Sequence, residues 1–479
     1  MKKIPLFGNG IQSYSAVATA QRRLNCFYDP RPDQDKSEAI LRGTPGSTLW
    51  LSLPVYPIRG WIVSEGILYI VAKSNLYSVT SVGTFTYLGA ISTNSGLVEM
   101  ATNTEQIIIV DGTAGYIYTV ATATLSVITD VNFPNGAITV DFIDGVFVVE
   151  KPNSRQFYIS QVYDGTLWTP VQFATKESES SNILAVSVMQ GMIVLYGASG
   201  LEFWQPVTGG SFPYQRINGA QQTWGIAAVN SRVQFSTAST PNSMMFLGQN
   251  PQGHIQVLLF NGYTAVRVST SDVENIINSF DTYSDAIALT YMIDGHSMYQ
   301  ITFPTGNRSF LFDGLTGLWS EVQTGLALLN RHFGNLGIVF GESNYISDAT
   351  TGNIYILDPN AYTDNGTLIK RQVRTRHLRN AGNIFGVSEL YLDMATGTGA
   401  QSGGTPILKV QVSKDNGRTF GKERQVSLGD VGEYKTRIIM RRWGTAIDFV
   451  WQFTVTAPVK FLITSGSATA YGAEGKNDA

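Results

Sequence analysis

Cysteine is all but missing from this 479-residue chain. Cys26 stands alone, so an internal disulfide framework is excluded, and synthesis in a reducing compartment fits. Charge is also scarce, with Asp, Glu, Lys and Arg together at 14%. No apolar run has the length that crosses a bilayer as a helix. The opening Met1-Lys2-Lys3 leads into Ile4-Pro5-Leu6-Phe7-Gly8-Asn9-Gly10, without the apolar stretch of a secretory signal. A soluble protein that is not exported by the usual route, and that does not insert in a membrane, is expected. Histidine is rare, and His254, His296, His332 and His377 show no i, i+4 pairing. With one cysteine beside them, these residues argue against zinc or thiol chemistry. There is no Walker loop, no G-x-G-x-x-G after a strand and no G-x-S-x-G. No cofactor, metal or catalytic residue is assigned.

What is abundant is glycine (48 residues) and the aromatics Tyr and Phe (22 and 24). Eleven Asn-Gly or Asp-Gly pairs punctuate the chain, many between short β-branched and aromatic runs. Ile107–Gly112, Phe142–Val149 and Tyr291–Gly295 are examples. Such pairs tolerate the positive φ of tight hairpins, so they mark reversals of direction. Between Trp50 and about Lys370 a strand–turn–strand unit ending in aromatics recurs every ~35–50 residues, the period of four-stranded propeller blades. We therefore expect an all-β chain: a β-propeller of six or seven blades over 50–369. A long β-sandwich or two stacked barrels share the turn density. Residues 1–49, rich in turn formers, read as an extended arm with one short strand near Leu24–Tyr28. After Lys370, six runs of period-2 alternation read as a β-sandwich over 370–471. Residues 472–479 read as a disordered tail.

The net charge of −3 hides a division. The arm carries +3, the propeller region −13 and the remainder +7. Such asymmetry speaks to partners. The basic residues cluster at Arg22-Arg23, at Arg371, Arg374, Arg376 and Arg379, and at Arg441-Arg442. Contact with an acidic partner, nucleic-acid binding and plain solvated strand faces compete as readings. Paired arginines suit carboxylate clamps, so these residues are the interface candidates. Ser413, Asp415, Gly417, Thr419 and Phe420 match an Asp-box, in which the carboxylate accepts backbone N–H bonds within a turn. Asp-boxes are familiar in sialidase propellers, but this single copy lies outside the repeats and reads as a turn staple. The acid pairs Asp141/Asp144 and Glu177/Glu179 are the candidates for glycosidase carboxyls. Lys176–Ser181 looks like a solvated loop, and Asp144 has a turn to make.

Two stretches carry a resemblance. Gln21–Pro30 (QRRLNCFYDP) with Leu41–Gly46 (LRGTPG) form one end. Val412–Phe420, Leu428–Tyr434 and Arg441-Arg-Trp-Gly444 form the other. Together they resemble the packaged-DNA stabilisation, or tail-hub (nozzle), proteins of short-tailed bacteriophages. The resemblance implies a β-propeller subunit with an added β domain and no enzymatic role. It implies a homo-hexameric ring beneath the portal-adaptor (head-to-tail connector) protein that retains packaged DNA and holds the tail needle and tailspikes or fibres. Double-stranded DNA would pass non-specifically, since an acidic wall does not hold phosphates. The protein would be assembled in the bacterial cytoplasm and reside in the virion tail. The competing reading is a carbohydrate-active propeller, a sialidase-like enzyme or glycan-binding module. That reading requires carboxylates and arginines converging on the propeller's central pocket.

Overall fold

The computed structural model describes residues 2–7, 15–31, 39–210, 212–327, 329–401 and 403–472. The Asn9-Gly10 turn and the expected tail beyond Gly472 lie outside the described residues. Seven sheets close into a propeller, with blades over 58–90, 99–127, 140–175, 183–216, 225–267, 287–322 and 334–358. The first blade shows why the unit folds this way. Its second strand, Ile67–Ala72, is an unbroken apolar run because both of its faces are covered. Leu68 and Ile70 pack toward Phe340 and Tyr345 of the last blade. The intervening Tyr69 and Val71 pack toward Ile107 and Ile109 of the second blade. Each buried Ile or Leu contributes roughly 1.5–3 kcal/mol. The outer strands Phe85–Ala90, Thr124–Val127 and Thr264–Arg267 are largely exposed.

In four blades the turn between the first two strands is a two-residue hairpin with positive φ at both positions. Asp144-Gly145 and Asp294-Gly295 fill two of them, as expected, and Glu65-Gly66 and Gln190-Gly191 fill two others. Conversely, Asp164-Gly165 and Asp313-Gly314 take no positive φ, and both aspartates accept local hydrogen bonds instead. The fifth blade departs from the pattern, since Gly225–Ile226 and Val233–Phe235 share one partner, Ser243–Gln249.

Ring closure comes from the other end of the propeller region. Gly46–Ser52 pairs antiparallel with Asn353–Asp358 and becomes the outer strand of the seventh blade. Gly334–Phe340 of that blade lies against Ile58–Ser64 of the first.

The second unit is a β-sandwich. One sheet runs Cys26–Pro30, Ala39–Gly43, Leu462–Gly472, Phe385–Met394, Ile438–Ala446, with Lys2–Pro5 on Leu462–Gly472. The other runs Arg22–Leu24, Arg371–Arg374, Asp448–Val455, Ile407–Ser413, Arg424–Ser427. Leu390, Leu408, Val410, Trp451 and Phe453 belong to the core between them. The described part of the first 49 residues is therefore not a free arm. Its strands are built into both sandwich sheets and the seventh blade, and all but Cys26–Pro30, which pairs with Ala39–Gly43, have partners more than 290 positions away in the chain. Short segments among turn formers carry no local sign of such pairing.

Candidate functional site

The second sandwich sheet does not end at the sandwich. Arg22–Leu24 also pairs in parallel with Leu318–Val322, the outer strand of the sixth blade, through Leu24 and Glu321. Asn25, at φ 53°, follows that strand and stitches three segments. Its Nδ2 donates to the carbonyls of Gln323 and Lys370 at 3.0 Å each, and its Oδ1 accepts from Gln323 N at 2.9 Å. Glu321 sits at the centre. Arg22 donates to it from Nε at 3.0 Å and from a terminal nitrogen at 2.9 Å, and Arg308 adds a contact at 2.7 Å. Burial raises the Glu321 pKa, but Arg22 and Arg308 outweigh it, so the carboxyl titrates below its ordinary range.

A second link lies beside the first. Buried His296, on the sixth blade, shares a hydrogen bond with Asp313 at 2.9 Å and stands 3.6 Å from Asp29 of the sandwich. Burial lowers the His296 pKa, but the two carboxylates outweigh it and the net shift is upward. Arg42 bridges Asp29 at 3.2 Å and Asp294 at 2.6 Å.

This geometry corrects part of the interface set. Arg22, Arg23 and Arg371 are buried within the chain and face the junction, not a neighbouring molecule. Arg23 donates to Trp319 O at 2.7 Å, and its guanidinium lies 5.1 Å from the Tyr28 ring centroid. Arg374 is half-buried, donating to Gln452 at 2.7 Å and covering the Phe420 ring at 4.7 Å. Arg376, Arg379, Arg441 and Arg442 are exposed. Arg379 donates to Asn416 at 2.8 Å, and Arg441 pairs with Glu389 at 3.0 Å.

The Asp-box residues form a stapled turn. Asp415 accepts from Thr419 N at 2.9 Å and from the Ser413 hydroxyl at 2.6 Å, and Ser413 Oγ accepts from Gly417 N at 3.0 Å. These bonds, that from Ser413 foremost, hold the Asp415 carboxyl well below the usual carboxylate range. Gly417 has φ +78°, and a Cβ there would meet Ala20 at 2.5 Å.

At the propeller centre lies a cavity of about 260 Å³ lined by Arg59, Glu99 and Arg232 among others. Charged groups do converge here, but they bind one another and the backbone. Arg232 grips Glu99 at 2.5 and 2.7 Å. Arg59 donates to the carbonyls of Lys73, Thr93, Ser95 and Gly96 at 2.5–2.8 Å. Asp141 accepts from Val188 N at 2.6 Å, and Glu150 accepts from Ile138 N at 2.5 Å. Lys176–Ser181 is no plain solvated loop, because Lys176 is fully buried and pairs with Glu179. No cluster of metal-ligating side chains occurs among the described residues. Glu99, Arg232, Glu321 and Asp29 form no motif in the sequence, and His296 shows there only as one of four scattered histidines. Glu99 meets Arg232, Glu321 meets Arg22 and His296 meets Asp29 across more than 130 positions of chain, so no local pattern flags these contacts.

Residues 3–362 match the family described as bacteriophage P22 Gp10, beta-propeller, and residues 370–471 match its beta-sandwich. The chain belongs to the bacteriophage P22 Gp10 family. As a Gp10-family member it is a phage structural protein, a virion component of the family that stabilises packaged DNA. Other likenesses of this Gp10-family chain are distant. The extracellular domain of the putative hybrid two component system BT4673 from B. thetaiotaomicron has TM-score 0.45 at 8% identity, over 74% of this chain and 45% of that one. The Neurospora crassa Pan2 WD40 domain has TM-score 0.43 at 12% identity, over 66% of this chain and 96% of that one. The Schizosaccharomyces pombe paired amphipathic helix protein pst3 is 29% identical over 114 residues. That match takes in 22% of this chain and only 10% of pst3's length.

Proposed function

We propose that this chain is a tail-hub (nozzle) subunit of a short-tailed phage. It would form a homo-hexameric ring beneath the portal-adaptor protein, close or line the DNA exit channel, and anchor the needle and tailspikes or fibres. The match to the Gp10 family over both domains carries the reading. The junction supports it: a sheet shared by two domains, locked by Glu321 and Asn25, makes one rigid block suited to bearing a pressurised genome.

The charge division supports a head-to-tail contact. An acidic propeller facing a neighbour's basic sandwich supplies the two unlike patches that a ring requires. The propeller's own centre is narrowed by inner-strand side chains such as Arg59, Glu99 and Arg232 around a cavity of about 260 Å³. DNA would pass through the ring of subunits instead. Negative-stain microscopy of the purified chain, alone and with the portal-adaptor protein, tests this. Six-fold rings are expected, and monomers under both conditions would overturn the hub role.

A further inference from the structure

We propose that the cleft between the sandwich and the last two blades binds a small oxyanion, a phosphate or a carboxylate, with Arg371 and Lys460 as its receiving cations. The cleft holds a cavity of about 310 Å³ whose walls include Arg31, Arg42, Arg371, Lys460 and a single carboxylate, Asp294.

The cations are unequally compensated. Arg31 and Arg42 pair with Asp29 at 3.0 and 3.2 Å, and Arg42 also takes Asp294 at 2.6 Å. Arg371 is different. Only 1% exposed, it makes no ion pair among the described residues. Its terminal nitrogens reach the carbonyls of Tyr362 and Thr44 only at 3.5 and 3.4 Å, and its Nε has no hydrogen-bond partner among the described residues.

Burial lowers the Arg371 pKa to about 10, which leaves the group charged at neutral pH. Burial also raises Asp364, the charge that acts most strongly on Arg371, to about 7. A buried guanidinium without a full counter-charge is costly, and its fork of donors matches an oxyanion. The room comes from Gly43, where a Cβ would stand 2.3 Å from Arg371 Nε. Lys460 is exposed beside it and adds a mobile donor.

Thermal unfolding of the full chain in sodium phosphate, sodium acetate and sodium chloride at matched ionic strength tests the site, whether or not rings form. A saturable rise in Tm in phosphate, in acetate or in both supports it, and the salt that acts identifies the oxyanion. Lys460→Gln should weaken that affinity several-fold without changing the Tm in chloride. Asp294→Asn keeps the turn, since Asn tolerates positive φ, and should strengthen the affinity several-fold. Equal Tm in all three salts, or affinities unmoved by both substitutions, overturns the proposal.

Discussion

Glu321 has no exposed surface to speak of, yet it carries a full charge because two guanidinium groups meet it. Removing it by Glu321→Ala leaves Arg22 buried and unpaired, which costs about 3–5 kcal/mol. Denaturant unfolding should show that loss, and a change within ±0.5 kcal/mol would deny the residue its locking role. Gly417→Ala should cost about 1–3 kcal/mol, since an alanine must adopt φ +78° and also displace Ala20.

Protonation acts at the same scale. Glu150 keeps its proton up to about 7 in the fold, because burial outweighs its hydrogen bonds, against an ordinary value of 4.5. Its contribution to stability is thus full below 4.5 and is lost as pH rises through about 7. His296, raised from 6.5, acts in the same direction: full below 6.5, lost above its folded pKa. Glu179, lowered to about 2 although burial alone would raise it, contributes above 4.5 and fails toward 2. Thermal stability should therefore be greatest near 4.5 and decline as pH rises through about 7. Glu150→Gln should flatten the alkaline decline, and an unchanged pH profile would show that Glu150 does not set it.

At the scale of elements, the seventh blade owes its fourth strand to Gly46–Ser52. A chain starting at Leu53 lacks that strand and leaves Asn353–Asp358 as a bare edge. Hydrogen exchange should then rise across 334–358 more than across 140–216, and uniform protection would argue against closure by this strand. The same chain also loses the strands Arg22–Leu24, Cys26–Pro30 and Ala39–Gly43, so the sandwich should expose its core as well. Elements whose partners are adjacent in sequence were readable in advance. Five of the six strands expected after Lys370 occur near their expected places. The last, expected over 459–463, starts only at Leu462 and runs to Gly472, and Leu378–Arg379 and Arg424–Ser427 are added. Arg22–Leu24 was not legible as a bridge between domains, since nothing in three residues names a partner 299 positions away.

For the whole molecule, the sheet shared at the junction ties propeller to sandwich, and of the interface candidates Arg376, Arg379, Arg441 and Arg442 are exposed. If the basic sandwich docks on a neighbour's acidic propeller, the double variant Arg376→Glu, Arg442→Glu should fold normally yet form at least ten-fold fewer rings in micrographs. Undiminished ring formation would move the contact elsewhere on the surface.

By itself the sequence determined the all-β class, the repeat of strand and turn, the sandwich after Lys370 and the Asp-box staple. Those are local properties, written in hairpin pairs such as Asp294-Gly295 and in apolar runs that do not depend on which partner covers them. Only the tertiary structure decided the blade count of seven, the fate of the first 49 residues, and which arginines face inward. Those outcomes depend on pairing between distant segments, whose energy arises when Glu321, Asn25 and Gly46–Ser52 meet partners that no local pattern specifies.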